Sequence, residues 1–180
     1  MSTEPKFVRT TVLVVRLGGK VVLASDGQVT LDKAVVKGSA SKVRSLGDGT
    51  VLAGFAGGAA DAFALLTRFE EKLSAHGGRL ERAAVELVRE WRTDRALRQL
   101  QAMLLVADSE KTLLLSGTGD LIEPDDGIIG IGSGSVPAMA AARALVAHTS
   151  MDAREVVEAA MGIAAGIDIY TNNHLTIEEI

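Results

Sequence analysis

Three positions near the start of the chain offer a hydroxyl, a carboxylate and an ammonium. They are Thr10, first of a Thr10-Thr11 pair opening an apolar run; Asp26, in Ser25-Asp-Gly-Gln-Val-Thr30 after a second run; and Lys42, at the head of a third. Strand starts and turns are where a rigid scaffold presents reacting groups. The commoner nucleophiles have no support: the chain has no cysteine and no Gly-x-Ser-x-Gly turn, and His76, His148 and His174 fall in no motif. Singly, each of the three has an ordinary alternative: β-propensity for a Thr-Thr pair, a turn for Asp-Gly, a solvated edge charge for a lysine. Only their joint spacing argues for a site. Gly130-Ile-Gly-Ser-Gly-Ser135 runs into a helical pattern and could cradle a phosphate, but it lacks the Gly-Lys-Ser/Thr ending of a P-loop and the full dinucleotide fingerprint.

The elements that must position these groups are legible in the periodicity. Thr11 to Leu17 and Lys20 to Ser25 are rich in β-branched and apolar residues and are separated by Gly18-Gly19, which predicts a hairpin. Neither run alternates, so the sheet should be covered on both faces. A second hairpin is predicted from Lys42 to Leu46 and Thr50 to Ala56. Ala59, Ala62, Phe63, Leu66 and Phe69 then fall at helical spacing, predicting a helix over 59–75. Leu80, Ala83, Ala84, Leu87 and Trp91 mark the apolar stripe of a second helix, with Trp91 in the core. Strand character returns at 102–108, 112–117 and 127–132, read as a second sheet. Helices follow at 136–148 and 152–165, the latter with Ser150 or Asp152 as N-cap, and then strand-like segments at 167–170 and 175–177. The order ββββ αα βββ αα ββ predicts an α+β chain, a four-layer α/β/β/α sandwich of two antiparallel sheets.

Composition bounds the function. A chain of 180 residues is one domain in size. With one Trp, one Tyr and four Phe, its core must be built from close-packed aliphatic residues. A net charge of −4 without a basic stretch removes the electrostatic footprint of a nucleic-acid binder. Absence of cysteine excludes disulfides and thiolate metal sites, leaving the cytoplasm as the expected compartment. Residues 1–9 mix charges with a proline and form no secretory signal, and no apolar run approaches the about 18–20 residues of a membrane span, so no membrane partner is expected.

A set of segments recurs in order along the chain: Thr10-Thr-Val12, Ser25-Asp-Gly-Gln-Val-Thr-Leu31, Lys37-Gly38, Lys42-Val-Arg44, Ala53-Gly-Phe-Ala-Gly-Gly58, Ala60-Asp-Ala-Phe63, Trp91-Arg-Thr-Asp-Arg95, Ile131-Gly-Ser-Gly134 and Tyr170-Thr-Asn172. Together, from Thr10 to Ile180, they resemble the HslV family, ATP-dependent threonine peptidases that partner the HslU unfoldase. The resemblance implies an N-terminal-nucleophile hydrolase fold, in agreement with the sandwich read from periodicity. It implies Thr10 as nucleophile after loss of residues 1–9, with domain 10–180 as the peptidase. The freed α-amine, of reference pKa about 7.7–8.0, would act as base. Lys42 would favour the neutral form of that amine, Asp26 would hold Lys42, Ser133 would hydrogen-bond around the amine, and the Gly54 backbone N–H would donate to the oxyanion.

Further implications are a double six-membered ring of identical subunits, a ring-shaped AAA+ ATPase partner that alone uses ATP, unfolded polypeptide substrates and no organic cofactor. The family's sodium site maps onto Ala165, Asp168 and Thr171, where two of three side chains differ and backbone carbonyls would serve as ligands. Ser25 stands where a glycine is usual and Ser41 where a basic residue is common. The nine-residue extension motivates an alternative, a non-catalytic ring subunit in which Thr10 stays blocked. A second alternative is an amidohydrolase of the same fold acting on small amides.

Overall fold

The computed structural model describes residues 10–100 and 102–180. The extension over residues 1–9 lies outside the described residues. In chain order the elements are β1 (Thr11–Leu17), β2 (Lys20–Asp26), β3 (Val29–Leu31), β4 (Ala34–Lys37), β5 (Val43–Leu46), β6 (Val51–Gly57), α1 (Ala59–Ala75), α2 (Leu80–Thr93), β7 (Ala102–Ala107), β8 (Thr112–Ser116), β9 (Leu121–Ile122), β10 (Ile128–Gly132), α3 (Ser135–His148), α4 (Ala153–Ala165) and β11 (Leu175–Glu179).

Two antiparallel sheets carry the molecule, one ordered β10-β1-β2-β11 and the other β5-β6-β7-β8-β9. Strand parity explains why β1 and β2 are apolar throughout, because successive side chains face opposite layers. Leu13, Val15, Val22 and Ala24 pack on α3 and α4, whereas Val12, Val14, Val21 and Leu23 pack against Val43, Leu52 and Leu105 of the other sheet. A third cluster, holding Phe69, Leu87 and the fully buried Trp91, joins α1 and α2 to the outer face of the second sheet. The four-layer α/β/β/α sandwich expected from periodicity is the observed architecture.

Four details differ from expectation. Strand β10 pairs with β1, Thr11 opposite Gly132, so it extends the first sheet and not the second. A separate hairpin, β3–β4, occupies the stretch before Lys42. Residues 167–170 form a turn, because the N–H groups of Ile167 and Asp168 both return to the Ala164 carbonyl and extend the end of α4. Phe63 leaves the α1 stripe, which is Ala62, Leu65, Leu66, Phe69 and Leu73, and stands 55% exposed. At α4 the N-cap is Asp152, in a capping box with Glu155.

Candidate active site

The antiparallel register of β1 and β2, with Val12 opposite Ser25, brings the start of the first strand beside the end of the second. Thr10 and Thr11 therefore meet Asp26. Lys42 immediately precedes β5 and reaches in from the opposing sheet. One carboxylate oxygen gathers all three: Asp26 Oδ1 accepts from Thr10 Oγ1 at 2.6 Å, from Thr11 N at 2.8 Å and from Lys42 Nζ at 3.0 Å. Asp26 Oδ2 accepts from Gln28 N at 2.8 Å, and Lys42 Nζ also donates to the Gln28 carbonyl at 2.7 Å. Thr10, Asp26 and Lys42 are all buried, Asp26 completely.

A buried ion pair whose members also hold neutral donors and acceptors is geometrically locked. Burial pushes the Lys42 ammonium below the ordinary lysine range, and the charge and hydrogen bond of Asp26 pull it partly back. The cluster thus holds a positive charge that is easier to discharge than that of a surface lysine, next to the Thr10 hydroxyl.

On the far side of Thr10 lies a second network. The Thr10 carbonyl accepts from Ser133 N at 2.9 Å. Ser133 Oγ donates to Asp168 Oδ2 at 2.6 Å, and Thr171 Oγ1 donates to the same oxygen at 2.6 Å. Thr171 in turn lies 2.7 Å from Thr11 Oγ1, which accepts from Gly134 N at 2.9 Å. The glycine run before α3 is spent on this closure. Gly132 has φ 93°, and a Cβ there would fall on the Thr10 carbonyl. The phosphate cradle considered for this run has lost the Gly134 N–H to Thr11.

Thr10, Asp26, Lys42 and Ser133 are thus brought together, and Gly54 is not. Gly54 lies mid-β6, paired with Val43 and Leu105, and a Cβ there would stand 2.8 Å from Val12 Cγ1 and 3.2 Å from Leu23 Cδ2, in the layer between the sheets. Its lack of a side chain lets the sheets approach. The glycine beside Thr10 is Gly57, at the end of β6, which lines both of two cavities that meet at Thr10, of about 520 and 680 Å³. Phe55 N donates to the Lys42 carbonyl across the β5 edge of β6. By the two-residue repeat of a strand, Gly57 N–H points to the same edge, beyond the last β5–β6 pair, Val43 with Gly54. Counting strand parity along Ala53-Gly-Phe-Ala-Gly-Gly58 is the signal that distinguishes the two glycines.

Ala165, Asp168 and Thr171 also lie together, where α4 ends. The Asp168 carboxylate is occupied by Ser133, Thr171 and Tyr170 N, so it is a poor candidate for a metal ligand. The main-chain carbonyls of the three residues are oxygen donors at the negative end of a helix dipole, that of Asp168 already accepting from Thr171 N at 3.1 Å, and carbonyl oxygens of this kind fit a hard monovalent cation. Asp168, expected only as a cation ligand, is the anchor of Ser133.

A family model described as "Proteasome subunit" matches residues 8–180. The chain is 58% identical over 177 residues to the "ATP-dependent protease subunit HslV" of Chlorobium luteolum, covering 98% of this chain and 97% of that protein. It is 59% identical over 171 residues to the protein of the same name from Pseudothermotoga lettingae, covering 95% and 97%. The crystal structure of eukaryotic HslV from Trypanosoma brucei superposes with a TM-score of 0.90 at 48% identity, over 94% of this chain and 98% of that one.

Proposed function

From a chain that belongs to the HslV family of proteasome-type peptidases, we infer a threonine peptidase, the proteolytic subunit of an ATP-dependent protease, with Thr10 as its nucleophile. The observation that carries the assignment is the convergence of Thr10 Oγ1, Thr11 N–H and Lys42 Nζ on Asp26 Oδ1.

The reaction requires cleavage of the Arg9–Thr10 bond, which removes residues 1–9 and frees the Thr10 α-amine. That amine is the base near neutral pH. It takes the proton of Thr10 Oγ1 as the oxygen attacks a peptide carbonyl, and Lys42, held by Asp26, keeps the amine in its proton-accepting form. The oxyanion takes a hydrogen bond from Gly57 N–H, which replaces Gly54 in this role. The carbon–nitrogen bond breaks, the proton passes to the departing amine, and the peptide remains as an ester on Thr10. Water then attacks the ester, releasing the carboxylic acid and restoring the hydroxyl. Ser133, fixed by Asp168, orients the amine.

The working form is a double six-membered ring in the cytoplasm, fed with unfolded polypeptide by an AAA+ ATPase ring. A sodium ion on the carbonyls of Ala165, Asp168 and Thr171 would stiffen the loop that carries the Asp168 anchor. Sodium should raise the melting temperature more than choline at equal ionic strength, and equal effects would overturn the site.

The deciding experiment is intact-mass analysis of protein made in its native host, paired with Thr10→Ala. Wild-type protein beginning at Thr10 that hydrolyses peptides, and an assembled but inactive variant, are the expected results. A chain that keeps residues 1–9 and stays inert with an unfoldase would establish the scaffold alternative. Turnover of small amides with no response to the ATPase would establish the amidohydrolase.

A further inference from the structure

Of the two cavities meeting at Thr10, the one away from Lys42, of about 680 Å³, contains Ser133. Ser133 orients the amine that hands its proton to the departing nitrogen, so this cavity adjoins the half of the substrate that leaves first. Its walls are mainly apolar, from Ala56, Leu100, Ala102 and Met103. Its Ser116 and Thr118 hydroxyls are engaged, both donating to Asp120 Oδ2, and Asp120 itself does not line the cavity. Among the described residues one charged side chain lines it, Arg98, and no Asp or Glu does. Arg98 stands on a single 3₁₀ turn, Leu97–Gln99. Buried Leu97 fixes that turn, as does Asp94 Oδ1, which accepts from Ala96 N at 2.7 Å and from Leu97 N at 3.1 Å. Among the described residues the Arg98 guanidinium has no hydrogen bond or ion pair.

We propose that Arg98 sets specificity on the leaving side, by pairing with a carboxylate carried by the departing peptide. The proposal rests on the peptidase reading above. The first residue after the cleaved bond packs on Leu100, Ala102 and Met103, apolar walls of the kind that bind while a few polar groups select. Beyond it, the carboxylate meets the N–H fork of a guanidinium that has no other acceptor. That carboxylate is the side chain of an Asp or Glu, or the C-terminus of a short leaving fragment; both present the same group. A lysine there would meet a like charge with no carboxylate to offset it. Arg98 is exposed, so water and salt weaken the pair and its effect is a few-fold in rate constant, not orders of magnitude. It touches neither the nucleophile nor the amine, and its effect falls on KM more than on kcat.

The test uses the assembled protease with its ATPase and synthetic peptides that share one acyl half, the cleaved bond being located and the products quantified by mass spectrometry. In one series the second residue after that bond is Glu, Gln or Lys and the C-terminus is amidated. In the other that residue is Gln, and a short leaving fragment ends in a free acid or an amide. For wild type, kcat/KM for Glu should exceed that for Lys by about fivefold or more, or the acid should exceed the amide by about threefold or more. The series that responds identifies the carboxylate, and the gap should narrow at high salt. Arg98→Gln should bring the ratio close to one, and Arg98→Glu should invert it. Lys20→Glu makes the same change in net charge at the exposed start of β2 and should leave the ratio at its wild-type value. A ratio taken within one preparation is independent of how much protein folds. Ratios near one in both series, a ratio that Arg98→Glu does not move, or one that Lys20→Glu moves as far, overturn the role of Arg98 alone. Failure to cleave any peptide overturns the peptidase reading, and the role of Arg98 with it.

Discussion

Lys42 Nζ lies 3.0 Å from Asp26 Oδ1, and the two partners are not equally dependent on each other. Without Lys42, Asp26 keeps Thr10 Oγ1, Thr11 N and Gln28 N. Without a charged Asp26, Lys42 keeps neutral acceptors, the Gln28 carbonyl among them, but has no counter-charge. Breaking a buried pair so that a charge is stranded costs about 3–5 kcal/mol. Asp26→Asn is therefore expected in that range, and Lys42→Met, whose surviving partner stays hydrogen-bonded, nearer about 1–3 kcal/mol. Chemical denaturation of both variants checks the order; a more damaging Lys42→Met would refute it.

The lowered Lys42 pKa has consequences for pH. Burial is its main cause, opposed by Asp26. As pH rises through the lowered value, Lys42 loses the charge that keeps the Thr10 amine neutral, so kcat/KM should show an alkaline limb below the ordinary lysine range. Stability runs the other way. Between the folded and the unfolded pKa the unfolded chain binds more protons, so this group makes stability rise with pH across that window. A pH series of activity and of denaturation midpoints measures both, and a limb at or above the ordinary lysine range would remove Lys42 from the mechanism.

Gly54 and Gly57 separate packing from catalysis. Gly54→Ala places a methyl against Val12, Leu23 and Val43 between the sheets, and overpacking of this kind costs about 1–3 kcal/mol. Its turnover per folded molecule should stay near wild type. Gly57 has φ 139°, which an alanine adopts only with strain, and it lines both cavities at Thr10, with its N–H placed on the β5 edge by strand parity. Gly57→Ala should lower kcat by about tenfold or more, approaching the about 10²–10³ lost with an oxyanion donor. Melting temperature and kcat for both variants decide it, and the reverse pattern would return the donor role to Gly54.

Much of this was readable in the sequence, because hydrophobic periodicity is a local signal. The unbroken apolar runs of β1 and β2 announce a sheet covered on both faces, and the stripe through Leu80, Leu87 and Trp91 announces a helix on a core. Which strand joins which sheet is not local. β10 pairs with β1 across a separation of more than a hundred residues, and nothing in Ile128–Gly132 names its partner. The same divide runs through the site. Thr10, Asp26 and Lys42 stand at strand ends that announce themselves, whereas Asp168 reaches Ser133 from a turn that reads as a strand because Ile167 and Ile169 flank it. Those isoleucines are exposed, so their β-propensity was never used.

That turn supports a last prediction. Asp168 Oδ2 takes 2.6 Å hydrogen bonds from both Ser133 and Thr171, and Thr171 in turn touches Thr11 beside the nucleophile. If Asp168 acts by positioning Ser133, removing either residue removes the same function, and the two losses cannot add. Ser133→Ala and Asp168→Ala should each reduce kcat, with the double variant little worse than the poorer single one. The coupling should be about 1–2 kcal/mol, within the range for residues in one hydrogen-bond network. KM should change less than kcat, since neither side chain faces the cavity of Phe55 and Phe63. Thr171→Val, which also loses its bond to Thr11, should cost stability as well, whereas Ser133→Ala should leave the melting temperature nearly unmoved. Additive losses in the cycle would show that Asp168 serves the loop alone and that Ser133 finds its position without it.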